Sequence, residues 1–165
     1  MVESARITSS NIVKQPFWNL YNLVNNRSNV PDPNDSSGNR KFVYRRIPHD
    51  MHKKFPFIVI NRTKPSKGKG VADLTKNFYS FDFTLTIYTK DQDADGSGDP
   101  TGADSADIIS NNISNTLVSS TNQKTLMSYG MHDLTYNINN DEDELEGKSI
   151  FLTEFEISFN SGLIA

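Results

Sequence analysis

The stretch DQDADGSGD, Asp91 to Asp99, sets an acid at every second position and then a glycine: Asp91, Asp93, Asp95, Gly96. Calcium takes oxygen ligands. An EF-hand loop supplies them from acids or amides at its positions 1, 3 and 5, a glycine at 6 for the turn, and a bidentate glutamate at 12. Counted from Asp91, the residues Asp93, Asp95 and Gly96 fit, Ser97 offers its carbonyl, and Asp99 falls at position 9. Position 12 is Gly102, which brings no ligand, and position 8 is Gly98. Asp91, Asp93, Asp95 and Asp99 are therefore a candidate calcium set, with Asp104 or Asp107 available to complete the shell. The competing reading is a flexible, solvated connection, because DGSGDPTG has the composition of a disordered loop.

Other reactive residue types are less well placed. His49 and His52 lie three apart in IPHDMHKK, a spacing that on a helix puts two imidazoles on one face. Pro48 and the flanking lysines favour an exposed basic loop instead. No serine sits in a G-x-S-x-G elbow. KPSKGKG lacks the spacing of a phosphate-binding loop, and no helix pattern opens directly after it. The N-x-[ST] triplets at Asn26, Asn34, Asn61 and Asn112 read as chance in an Asn-rich chain. Paired carboxylates occur only where no apolar neighbours would raise a pKa for general acid work. The sequence therefore points to no enzyme and to no cofactor other than calcium.

Charge is the stronger signal. The net charge is −3, yet residues 1–70 hold 13 Lys/Arg against 4 Asp/Glu and residues 71–165 hold 4 against 16. Most of the positive charge lies in one segment, as Arg40, Lys41, Arg45, Arg46, Lys53, Lys54, Arg62, Lys64, Lys67 and Lys69. Such an arm would bind nucleic acid, or dock on the acidic half of a neighbouring copy, or simply be solvated.

These residues need elements to position them. The 165 residues suit one domain, 1–165, and hydrophobic residues at 35% with a mean hydropathy of −0.56 indicate a modest core with long polar loops. Cysteine is absent, so no disulfide framework or thiolate metal site is possible. The N-terminus MVESARITSS has no apolar signal region, and no apolar run approaches the roughly 18 residues of a membrane helix. The expectation is a soluble protein made and used without export, and without a membrane partner.

In PFWNLYNLVNNR, Phe17, Leu20, Tyr21 and Val24 mark one face of a helix, with Pro16 in its first turn. SNVPDPNDSSGN is turn-rich and reads as too polar to pack. It belongs to an extended polar and basic segment over 27–55. FPFIVIN predicts a strand buried on both faces at Phe57 to Ile60. FYSFDFTLTIYTK alternates Tyr79, Phe81, Phe83, Leu85 and Ile87 with polar residues, a long half-buried strand. The acidic loop over 90–103 follows. In ADSADIISNNISNTLVSS, Ile109, Ile113 and Leu117 fall at a helical period, with Asp104 or Ser105 as N-cap. One strand lies within TLMSYGMHDLTYNI and another is SIFLTEFEISF. Between them NNDEDELEG predicts an exposed acidic hairpin connection. The order α-β-β-α-β-β describes an α+β domain, a mainly antiparallel sheet of about four strands with helices packed on one face.

That order, the FPFIVI strand after a basic loop, FYSFDFTLTIYTK, ADSADIISNNISNTL and the closing SIFLTEFEISF together resemble the tail-terminator, or tail-completion, proteins of tailed bacteriophages and related archaeal viruses. The resemblance covers nearly the full length and is one of element order, size and strand texture. It implies a structural virion protein: a homo-oligomeric ring, usually a hexamer, that caps the tail tube and joins it to the neck connector, with DNA passing through its lumen. The acidic loop and segment 27–55 depart from the compact family pattern as insertions. A ring needs a head-to-tail interface between unlike surfaces, and the basic segment meeting an acidic flank would serve. Two alternatives stand beside this: a nucleic-acid-binding module using residues 40–69, and a calcium-dependent interaction domain using residues 91–99.

Overall fold

The computed structural model describes residues 2–8, 10–35, 37–62, 66–67, 76–91, 102–145 and 147–164. Asp93, Asp95, Asp99, Lys64 and Lys69 lie outside the described residues, as does most of the 90–103 loop.

The first helix, α1, is Gln15–Val24, with Pro16 at its start. All four residues of the sequence stripe, Phe17, Leu20, Tyr21 and Val24, are buried. The opposite side of α1 holds the N-terminal segment through amide side chains. Asn19 accepts from the Ala5 N–H at 2.9 Å and donates to the Ala5 carbonyl at 2.8 Å, and Gln15 donates to the Glu3 carbonyl at 2.8 Å. An extended segment with no sheet neighbour thus has its backbone groups satisfied by a helix.

A single sheet follows. The strands are β1 (Val43–Tyr44), β2 (Phe57–Arg62), β3 (Ser66–Lys67), β4 (Lys76–Lys90), β5 (His132–Leu145) and β6 (Lys148–Ile164). Their order is β1-β2-β4-β6-β5, with β3 paired to β4 beside that path. Among the described residues only β1 and β2 run parallel; β2–β4, β3–β4, β4–β6 and β5–β6 are antiparallel. Since β6 is antiparallel to both neighbours, β4 and β5 run the same way with β6 inserted between them. The helices α2 (Gly102–Val118) and α3 (Ser120–Ser128) make that crossover.

The expectation of about four strands in the order α-β-β-α-β-β is met in class and corrected in detail. The two-residue strands β1 and β3 are too short to leave a periodic signal, and α3 is an element the expected order lacks: its last residues fall in TLMSYGMHDLTYNI, where only a strand is expected. Of α3's side chains only Leu126 is buried, so no apolar stripe announces it. Its end is set by backbone chemistry. Gly130 has φ +88°, its N–H donates to the Met127 carbonyl, and the Met131 N–H donates to the Leu126 carbonyl at 3.0 Å. This pair of bonds is the Schellman arrangement, and Leu126 and Met131 supply its apolar contact, both buried.

Phe57 to Ile60 are all buried, as FPFIVI predicts. Ile58 and Ile60 join the main core with Phe81, Phe83, Leu85, Ile87, Ile109, Ile113, Leu117, Phe155, Ile157 and Phe159. All three helices contribute to this cluster, so all pack on one face of the sheet. On the other face, Phe57 is covered by its own neighbours: Tyr88 stacks at 4.8 Å, Phe55 lies at 5.2 Å and Tyr44 at 5.9 Å. Beyond that aromatic corner and the apolar residues Val59, Leu152 and Ile150 in neighbouring rows, the open face is polar, with Asp82, Thr84, Glu154, Glu156, Asn137 and Asn139.

The turn-rich stretch after α1 does pack, against expectation. Val30 reaches the core and Asp32 is buried. The acids expected in a hairpin loop also lie elsewhere: Asp141, Glu142, Asp143 and Glu144 are within β5, paired with Leu152, Phe151, Ile150 and Ser149. β6 begins three positions after β5 ends, and Gly147 just before it has φ +75°. β6 is 17 residues long, and its free edge enforces strand geometry on a segment whose own propensity is poor.

Candidate interaction surface: a basic cleft and an acidic edge

The basic residues divide into two groups by what they touch. Arg40 serves the fold. Its Nε donates to Asp32 Oδ2 at 2.7 Å, and its two Nη groups reach the carbonyls of Lys54, Phe55 and Pro56 at 2.8–2.9 Å and also Asp32. Arg27 adds an ion pair to Asp32 at 3.8 Å and donates to the Arg40 carbonyl. The Asp32 side chain is fully buried, so this pairing compensates a carboxylate removed from water. Asp35 closes the same turn: the Ser37 hydroxyl and the Arg40 N–H donate to it and hold its pKa below the usual carboxylate range.

Lys41, Arg45 and Arg46 are exposed and stand on one cleft. Together with Tyr44, Ile47, Pro48 and His49 they line an open cavity of about 900 Å³ beside β1. Two of these three cations rest on aromatic rings. Lys41 Nζ lies 4.9 Å from the Tyr44 ring centre, and the Arg45 guanidinium lies 5.4 Å from Phe17 and 5.1 Å from Trp18. Such contacts restrict a long side chain without neutralising it. Burial pushes the Tyr21 and Tyr44 hydroxyls above their ordinary pKa, while Arg45 pulls against it at Tyr21 and Arg40 at Tyr44. Both tyrosines therefore stay neutral beside the cations at physiological pH.

The remaining expected interface residues are more scattered. Lys53 is exposed on the short turn Met51–Lys53, and Lys54 pairs with Asp50 at 3.7 Å. Arg62 ends β2 and Lys67 lies in β3. Along the chain these cations form one arm; the structure brings Lys41, Arg45 and Arg46 to one place.

At the far side of the sheet β5 stands last in the strand order. Asp141, Glu142, Asp143 and Glu144 are all exposed there. Asp141 and Asp143 pair with Leu152 and Ile150 on the open face, and Glu142 and Glu144 alternate to the other. A sequence signal for this strand existed in the length of SIFLTEFEISF and its continuation, which needs a partner of similar reach.

Asp91, the first residue of the calcium pattern, has a structural task. Its Oδ1 accepts the N–H of Gly102 at 2.9 Å, and Gly102 is the first residue of α2. Position 1 of the apparent loop therefore caps the helix at position 12, where a carboxylate is favoured by the exposed N–H groups and the helix dipole. This corrects the expectation that Asp104 or Ser105 is the N-cap. Gly102 is required by packing: a Cβ there would lie 2.7 Å from the Lys90 carbonyl carbon and 2.8 Å from the Asp91 nitrogen. Among the described residues no group of three or more His, Cys, Asp or Glu is arranged to hold a metal, and no helix is long and apolar enough to cross a membrane.

Compared with family models and with curated proteins, the chain matches none.

Proposed function

We propose that this protein is a structural subunit that closes into a homo-oligomeric ring, and that the ring is a viral tail terminator. In this reading it caps the tail tube and joins it to the neck connector. The observation that carries it is the placement of opposite charges at opposite edges of one sheet. The basic cleft lies beside β1 and the acidic run lies on β5, with β2, β4 and β6 between them. Unlike surfaces on opposite sides of a subunit are what a head-to-tail ring requires. The resemblance in element order and strand texture supplies the virion context, and a hexamer is the stoichiometry it implies.

Mass photometry and negative-stain imaging of the purified protein test this, alone and with tail tubes. A discrete ring is the expected result. A monomer under both conditions overturns the reading.

The cleft also favours one alternative. Lys41, Arg45 and Arg46 beside Tyr44 combine charge with an aromatic face, the pairing that single-stranded nucleic acid uses. A steeply salt-dependent affinity for DNA in the monomer would select that reading.

A further inference from the structure

We propose that the cleft beside β1 receives the acidic edge of β5, Asp141 to Glu144, from a second copy of the chain. The inference rests on the ring reading and deepens it by naming both halves of the contact.

Charge complementarity is the first argument. The cleft presents three exposed cations, Lys41, Arg45 and Arg46, and the β5 edge presents four exposed acids in sequence. Arg45 lies over Phe17 and Trp18, an arrangement that orders the guanidinium while leaving N–H groups for a carboxylate fork. Each half also carries an apolar residue beside its charges. Ile47 follows Arg46 and is 49% exposed, and Leu145 follows Glu144.

Topology supplies the second argument. Cleft and edge are four strand spacings apart, about 19 Å at about 4.8 Å each, and both belong to one sheet. One copy cannot join them, so a second must. The acids also forbid the simplest competing contact, in which two β5 edges pair with each other, because like charges would face across it. A β5 edge is thereby directed to an unlike surface, and each copy offers one of each.

Two variants separate the halves. Arg45→Gln/Arg46→Gln removes the cleft's guanidinium charges without creating an acidic surface that the lysine-bearing edge below could bind, and keeps the edge. Asp141→Lys/Glu142→Lys/Asp143→Lys/Glu144→Lys removes the edge and keeps the cleft. The charge-changing substitutions all fall on exposed residues, and circular dichroism of each variant checks its fold. The expected result is that each variant alone loses self-association by about tenfold or more. An equimolar mixture should form a one-to-one dimer by sedimentation, since only one intact cleft and one intact edge remain. The chain has one tryptophan, Trp18; carrying Trp18→Phe in the Arg45/Arg46 variant leaves emission from the cleft-bearing partner alone, and it should shift on mixing. Variants that assemble as the wild type does would overturn the contact and leave the ring reading standing. A mixture that pairs while the wild type forms only open chains would support the contact and overturn the ring. If neither the mixture nor the wild type associates, both fail.

Discussion

Arg40 and Arg45 are five positions apart and equally cationic, yet one holds the fold and the other faces solvent. The difference lies in Asp32, which no local pattern links to Arg40. A buried carboxylate is costly unless paired and hydrogen-bonded, and the guanidinium is the side chain that can satisfy it and three carbonyls together. Arg40→Met keeps the stem and removes the donors. It should destabilise the protein by about 3 kcal/mol, the lower part of the range for breaking a buried pair, because Arg27 remains at 3.8 Å from Asp32. Urea unfolding measures this, and a loss below about 1 kcal/mol would refute the pairing as a main support of segment 27–55. Arg45→Met should leave stability within about 0.5 kcal/mol, as surface changes do. The sequence could list both arginines as cations; it could not say which was already engaged, because that depends on a contact eight residues away through a turn.

At the scale of elements, what was legible followed from apolar periodicity. Phe17, Leu20, Tyr21 and Val24 fixed α1, Ile109, Ile113 and Leu117 fixed α2, and alternation fixed β4 and β6. What was missed had other determinants. The acid run of β5 is a strand because β6 offers it a ladder, and α3 is a helix because its C-terminus is closed by Gly130. The dipeptide Tyr129-Gly130 after a polar run was an available stop signal. Gly130→Ala should cost about 1–2 kcal/mol, the penalty of the left-handed region for a residue with Cβ. Space is not the cause, since the added carbon would meet only ordinary contacts at 3.5 Å and beyond. A fall in Tm with unchanged circular dichroism at low temperature is the expected readout. Gly130→Asn should fall less, because Asn tolerates that conformation better.

For the whole molecule, the charge asymmetry was legible in the sequence but its geometry was not. A count along the chain cannot show that β6 returns between β4 and β5 and so carries the acid run to the edge opposite β1. The same sheet fixes the response to alkaline pH. Tyr21, Tyr44 and Tyr88 all have hydroxyls raised above the ordinary value of about 10 by burial, with Glu154 adding at Tyr88. The folded state holds these protons more tightly than the unfolded chain. Their contribution is complete below pH about 10 and is lost as pH rises through the folded values. Unfolding monitored with tyrosinate absorbance should therefore show stability falling from about pH 10 upward. Tyr21→Phe should make that fall shallower, since one of the three groups no longer titrates, while costing about 1 kcal/mol at neutral pH, from the bond its hydroxyl donates to the Val43 carbonyl at 3.1 Å.

The bond between Asp91 and Gly102 ties together the two ends of the segment that runs between β4 and α2. Once both ends are anchored, chain length between them becomes a weak variable, since each doubling of a flexible loop costs only about 0.6 kcal/mol. The strand before and the helix after would keep their positions whatever is spliced between. A fluorescent domain or an affinity handle placed there would label each subunit of an assembly.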